Sequence, residues 1–145
     1  MKQTISLPII EIKETFTSAI KEQKPVVVVA PTGSGKSTQL PLWLAEIYQD
    51  PVLVVEPRRV ACRALASFVA KNRGEELGQS VGYRVRFSSA ISNNTQIEFV
   101  TPGVALRLLQ NEKKSAYRAV MLDEFHERRW EIDLLATLLR KGTLQ

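Results

Sequence analysis

One cysteine, Cys62, is the only thiol in this sequence. A single thiol cannot close an internal disulfide, and a lone histidine, His126, leaves no cysteine and histidine cluster of the kind that holds zinc. No stretch approaches the ~18 apolar residues of a membrane span. The N-terminus lacks the basic and apolar segments of a secretory leader. There is no low-complexity tract and no internal repeat. These absences argue against a disulfide scaffold, a zinc module and a membrane-embedded chain. A cytosolic protein with no membrane partner fits them.

What is present points to one globular domain. The chain has 145 residues, 44% of them hydrophobic, which is ample for a core and too apolar for disorder. Twenty Lys and Arg against fifteen Asp and Glu give a net charge of +5, which suits a polyanionic partner, either nucleotide or nucleic acid.

The stretch Val26-Val27-Val28-Val29-Ala30-Pro31-Thr32-Gly33-Ser34-Gly35-Lys36-Ser37-Thr38 organises the rest. Four consecutive Val residues read as a strand buried on both faces, as in parallel sheets. The run leads into a Gly-rich loop and then a helix-forming segment, the order a P-loop requires. Gly33 and Gly35 let the backbone curl so that N–H groups point at a phosphate. The following helix N-terminus adds partial positive charge. Residues Thr32 to Thr38 form the expected phosphate cradle. Lys36 is placed to reach the β- and γ-phosphates, and Ser37 to ligate Mg²⁺. Ala30 stands where the strict pattern has its first Gly. A Gly-Ser turn beside a surface Lys is the bland alternative, and the Val run in front weighs against it.

Along the chain, Ile9, Ile12, Phe16, Ala19 and Ile20 predict a helix over 9–22, started by Pro8. A helix after the loop carries Leu40, Leu42, Trp43, Leu44 and Ile47, with Pro41 near its first turn. Val52 to Glu56 reads as a second buried strand. A helix from Arg59 to Lys71 is expected to pack Val60, Ala64, Leu65, Phe68 and Val69. Val81 to Phe87 alternates as a strand, with Val81, Tyr83 and Val85 on one side and Arg84 and Arg86 on the other, where a solvated strand face and a functional role are equally open readings. Ser88 to Asn94 reads as a polar loop, Gln96 to Val100 as a strand, and a short helix follows Pro102. Ala119 to Leu122 is an apolar strand, and Trp130 to Arg140 an amphipathic helix. Strands alternating with helices predict an α/β sheet, mostly parallel and flanked by helices. Ligands on such sheets sit at the carboxyl ends of the strands.

The last strand delivers Asp123-Glu124-Phe125-His126. A P-loop needs a carboxylate to hold Mg²⁺, usually through water, and Asp123 suits that task. Glu124 is the candidate to orient or deprotonate an attacking water. His126 is placed to hydrogen-bond between the nucleotide site and whatever moves on hydrolysis. An acidic strand-to-loop junction is the alternative, and the P-loop upstream weighs against it.

These residues also resemble a family. Asp123-Glu124-Phe125-His126-Glu127-Arg128 resembles motif II of the DEAH-box helicases of superfamily two. Glu56-Pro57-Arg58-Arg59-Val60-Ala61 resembles their motif Ia, and Thr101-Pro102-Gly103-Val104 their motif Ib. Val81 to Phe87 is similar to a stretch typical of the group. With Pro41-Leu42-Trp43-Leu44 after the P-loop, the pattern is most similar to the bacterial HrpB-type branch.

The resemblance implies that residues 1–145 are the first of two RecA-like domains, binding ATP·Mg²⁺ and one side of a single-stranded nucleic acid, with RNA the expected strand. Arg58, Arg59, Thr101 and Gly103 are the implied contacts, directed at phosphates and so sequence-tolerant and salt-sensitive. Pro102 stands where the family has an acid, Phe125 where Ala is common, and Glu56 where Gln is common. Phe68 falls nearest the position where many relatives stack an Arg on adenine. Core packing is the reading preferred for it here, with stacking the alternative.

The family's next element, a strand ending in Ser-Ala-Thr between the P-loop strand and the motif II strand, has no counterpart before Gln145. The expectation is a fragment with a gap in mid-sheet and unpaired backbone on both sides. The second RecA-like domain is its implied partner. Alone it is expected not to unwind a duplex, to hydrolyse ATP poorly without an arginine finger, and to associate or be unstable unless the flanking strands close up. Two other readings stay open. One is a nucleotide-dependent binding module without turnover. The other is a different P-loop enzyme such as a small-molecule kinase, which leaves the Arg pair and the acidic motif unexplained.

Overall fold

A computed structural model describes residues 8–31, 33–110, 117–123 and 130–140. A 3-10 turn, Pro8–Ile12, leads into α1 (Lys13–Lys21) and then α2 (Lys36–Tyr48). There follow β1 (Val52–Val55), α3 (Arg59–Asn72), β2 (Val81–Val85), β3 (Ser88–Ala90), β4 (Ile97–Val100), α4 (Pro102–Gln110), β5 (Ala119–Leu122) and α5 (Trp130–Arg140). Among the described residues, no helix is long and apolar enough to cross a membrane.

The strands form one sheet in the order β3-β2-β4-β1-β5. β2, β4, β1 and β5 run parallel, and β3 returns antiparallel along β2. The centre reads as the sequence predicts: all four residues of β1 are fully buried, because helices cover both faces. On one face Val52, Val54, Ile97 and Phe99 pack with Phe16, Leu40, Trp43, Cys62 and Val69. On the other Leu53, Val55 and Val100 pack with Val104, Leu109 and Leu135.

Four expectations change. First, Val26 to Val29 is not part of the sheet. Val26 and Val28 lean on the first core cluster, but Val27 is 86% and Val29 93% exposed. The segment keeps a strand's alternation without a strand's ladder, because no described strand lies beside it to share hydrogen bonds. β5 has the complementary lack. It pairs with β1 on one side only, and all four of its residues are half-buried. Among the described residues, no strand pairs with Val26 to Val29 or with the second side of β5.

Second, α3 packs a face shifted from the expected one, keeping only Leu65 and Val69 of the expected set against the core. Cys62, Ala66, Val69 and Ala70 are buried, while Val60, Ala64 and Phe68 are exposed. Small residues let the helix lie close on β2 and β4. Third, the polar run after Phe87 holds β3, and Gly82 permits it: a Cβ there would collide with the Ala90 carbonyl. Fourth, Pro41 lies inside α2 rather than in its first turn and is buried.

Arg84 serves neither as a solvated side chain nor as a free cation, but pairs within the fold. Its Nε lies 2.9 Å from Oε1 of the buried Glu98. The Tyr117 hydroxyl donates to the other carboxylate oxygen at 2.6 Å. Burial, then the hydrogen bond to Glu98, pushes the Tyr117 hydroxyl pKa up from its ordinary value. A buried carboxylate in an apolar strand needs such partners.

Candidate functional site

The Gly-rich loop has the backbone its glycines allow. Gly33 and Gly35 have φ of +81° and +95°, and Gly35 is the N-cap of α2. No side chain caps that helix start and no acidic residue sits in its first turn. The leading amides of α2 therefore keep their capacity for an anion. Ser34 is buried, with its N–H donating to the Pro31 carbonyl at 3.1 Å. The Thr38 hydroxyl donates to the Gly35 carbonyl at 3.1 Å. Lys36 opens α2 and is half-buried.

Asp123, the residue after β5, is buried, and its N–H donates to the Val55 carbonyl at 2.9 Å. The Ser37 hydroxyl donates to Asp123 Oδ2 at 2.6 Å, across 86 residues of sequence. A hydroxyl and a carboxylate oxygen are the hard donors Mg²⁺ takes. Among the described residues no three His, Cys, Asp or Glu side chains gather around a common point. That donor set fits an ion completed by phosphate oxygens and water rather than one caged by protein. Thr32, Glu124 and His126 lie outside the described residues.

The basic residues stand along the same edge of the sheet. Arg58 is the N-cap of α3, just beyond the carboxyl end of β1. Thr101 and Gly103 follow β4, the neighbour of β1. Gly103 is exposed, with open space where a Cβ would stand, so a ligand can approach its backbone closely. Pro102 is the first residue of α4, where a missing N–H costs no helical bond. From β2 to β5 this edge spans three strand spacings, about 14 Å.

At the β2 end lies a feature that sequence reading missed. Phe87, between β2 and β3, is 89% exposed at φ +67°. The Arg86 guanidinium lies 4.8 Å from its ring centroid, and Arg59 Nη2 donates to the Arg86 carbonyl at 3.0 Å. The signal was an aromatic beside an Arg at the end of a strand, followed by small polar residues that suit a hairpin. Phe68, read as core, is 52% exposed on α3.

The DEAD/DEAH box helicase family profile matches residues 10–141. Among solved structures, the chain is similar to the Escherichia coli DEAH/RHA helicase HrpB, with 39% sequence identity and a TM-score of 0.88. The match covers 94% of this chain and 18% of that one, so this chain spans about a fifth of the length of that protein. The profile and the fold agree with the order of motifs along the strand ends, and the chain belongs to the DEAD/DEAH box helicase family.

Proposed function

We propose that residues 1–145 act as the first RecA-like domain of a DEAH-box ATP-dependent helicase, binding ATP·Mg²⁺ and single-stranded RNA. The observation that carries this reading is the meeting of Ser37 and Asp123 at the mouth of the Gly-rich loop. The loop amides and Lys36 hold the β- and γ-phosphates. Ser37 and Asp123 hold Mg²⁺, which offsets phosphate charge when bound. Glu124 orients the attacking water and His126 links the site to moving parts, both by resemblance of the motif. Phe68, exposed rather than core, stacks on the base where relatives use an Arg. A planar ring has no hydrogen-bond code, so it discriminates weakly among bases.

The nucleic-acid track runs over Arg58, Arg59, Thr101 and Gly103, and we extend it to Arg86 and Phe87. Phosphate contacts set its affinity and the exposed ring offers a stacking platform. Unwinding and efficient hydrolysis need a second RecA-like domain. The cytoplasm suits a chain with a single cysteine and so no internal disulfide.

The test is a titration of labelled single-stranded RNA at low salt, with and without ATP·Mg²⁺. Wild type should bind, weaken with salt, and lose affinity in the Arg58→Ala/Arg59→Ala variant. Lys36→Ala should keep basal RNA binding and lose the response to ATP. A folded wild type that responds to neither ligand refutes the proposal.

A further inference from the structure

The loop crest is held from outside by a residue no motif includes. Ile9, in the 3-10 turn, donates its backbone N–H to the Ser34 carbonyl at 3.2 Å. The Ile9 side chain is itself buried in the first core cluster, so the donor has a fixed base. Ser34 is only 2% exposed, and its hydroxyl is buried with no hydrogen-bond partner. Its N–H already serves the Pro31 carbonyl. Gly35, which takes positive φ, has no side chain to resist rotation on its side of the Ser34–Gly35 peptide, so an outside contact can decide that peptide's orientation.

In a trans peptide the C=O and the next N–H point in opposite directions. Fixing the Ser34 carbonyl on Ile9 therefore fixes the Gly35 N–H to point away from Ile9. We propose that the Ile9 amide is a positioning group for the phosphate loop: it sets which way the Ser34–Gly35 peptide faces, and so presents the Gly35 N–H to a bound phosphate. This rests on the reading of the loop as a nucleotide site. The N-terminal turn then belongs to the nucleotide machinery although it touches no nucleotide.

Linkage makes the idea quantitative. If the contact favours binding by some factor, bound nucleotide favours the contact by the same factor. One hydrogen bond sets that factor at about twofold to tenfold. The experiment measures a fluorescent ATP analogue with Mg²⁺ on wild type, Lys36→Ala, Ile9→Pro and Ile12→Ala. Ile12 packs in the same turn and the same core, and serves as the control for loosening the turn. Exchange of the Ile9 amide proton in wild type is followed with and without saturating nucleotide.

Ile9→Pro, which lacks the donor, should weaken the analogue about twofold to tenfold, with Ile12→Ala within about twofold of wild type. The Ile9 amide should exchange more slowly by a matching factor when nucleotide is bound. Equal affinity of Ile9→Pro and wild type, or Ile9 exchange indifferent to nucleotide, overturns the proposal. If Ile9→Pro does not fold, the exchange measurement on wild type decides alone. A wild type that binds no analogue instead sinks the nucleotide-site reading, which Lys36→Ala tests separately.

Discussion

Replacing Val27 by aspartate should cost this protein almost nothing, although Val27 sits in its most apolar run. Fully burying a Val side chain is worth about 1.5–3 kcal/mol. Val27 is 86% exposed, so only about one-seventh of that, roughly 0.2–0.4 kcal/mol, is at stake. An aspartate there remains in water and pays no desolvation. Val54 is the reference, because it is fully buried in β1. Val54→Ala removes two carbons at about 0.8 kcal/mol each and leaves a cavity, for a total of about 2–3 kcal/mol.

The assay is urea unfolding at several protein concentrations, followed by the emission of the buried Trp43. Val27→Asp should fall within about 0.5 kcal/mol of wild type. The same exposure predicts self-association of wild type, since a bare apolar segment and a one-sided β5 carry no charge to keep other chains away. Sedimentation should show Val27→Asp/Val29→Asp less associated than wild type. A loss of about 2 kcal/mol in Val27→Asp, equal to that in Val54→Ala and independent of concentration, would refute the reasoning. It would mean that the Val run is sheet-paired within each molecule in solution.

Four further residues give measurable outcomes, three of them buried or half-buried and one, Phe68, exposed. Burial first, and the Glu56 carboxylate second, push the Cys62 thiol up to about 12 from an ordinary value of 9.0. The native protein should therefore resist alkylation at pH 8 until it unfolds. The stability held by that protonated thiol is full below pH 9 and lost as pH rises from 9 to about 12, so Cys62→Ala should flatten the alkaline limb of a stability-against-pH curve. Tyr117→Phe removes a hydrogen bond to a charged carboxylate and should cost about 1.5–3 kcal/mol in urea unfolding. Arg84→Met should cost more, about 3–5 kcal/mol, because it leaves the buried Glu98 charge without its cation. Phe68→Ala should weaken ATP binding by about 1–3 kcal/mol, read in an equilibrium titration, at a stability cost well below the ~3–5 kcal/mol of a core Phe. A large stability loss with unchanged affinity would return Phe68 to a packing role.

The parts of this protein that were legible in its sequence are those whose cause is local. Gly33 and Gly35 announce a backbone that only glycine adopts readily, and the structure has positive φ at both. Ala119 to Leu122 is an apolar run ended by an acid, and it forms a strand over those same residues. The misreadings share a non-local cause. Whether Val26 to Val29 becomes a strand depends on what lies beside it, and side-chain character carries no record of that neighbour. On α3, side-chain size points to Val60 and Phe68 as well as Leu65 and Val69, whereas close contact with the sheet also selects Cys62, Ala66 and Ala70 for their small size and leaves Val60 and Phe68 outside. For Arg84, strand alternation leaves a solvated and a functional role equally open, because it takes no account of Glu98. An acid inside Ile97–Val100 was the available sign that a cation must come to meet it. β3 carries no apolar pattern at all, and only Gly82, where a strand passes too close for a side chain, betrayed it.

The unpaired side of β5 among the described strands and the candidate metal site bear on one another. Asp123 is delivered by β5, and β5 is held by one neighbour, β1. The loop and Ser37 follow a segment that no described strand pairs with. The Ser37 to Asp123 hydrogen bond therefore ties the first turn of α2 to the residue that follows β5. A ligand that engages both side chains adds its binding free energy to the stability of that junction, by about 2.7 kcal/mol at a hundred times its dissociation constant. In a sheet closed by a strand between these segments, the same contact would be placed by two ladders and would owe less to the ligand. The dependence of the fold on the nucleotide thus reports whether a strand closes the second side of β5. A melting temperature that climbs steeply with ATP·Mg²⁺ belongs to the open arrangement, and one that is high and nearly indifferent belongs to the closed one.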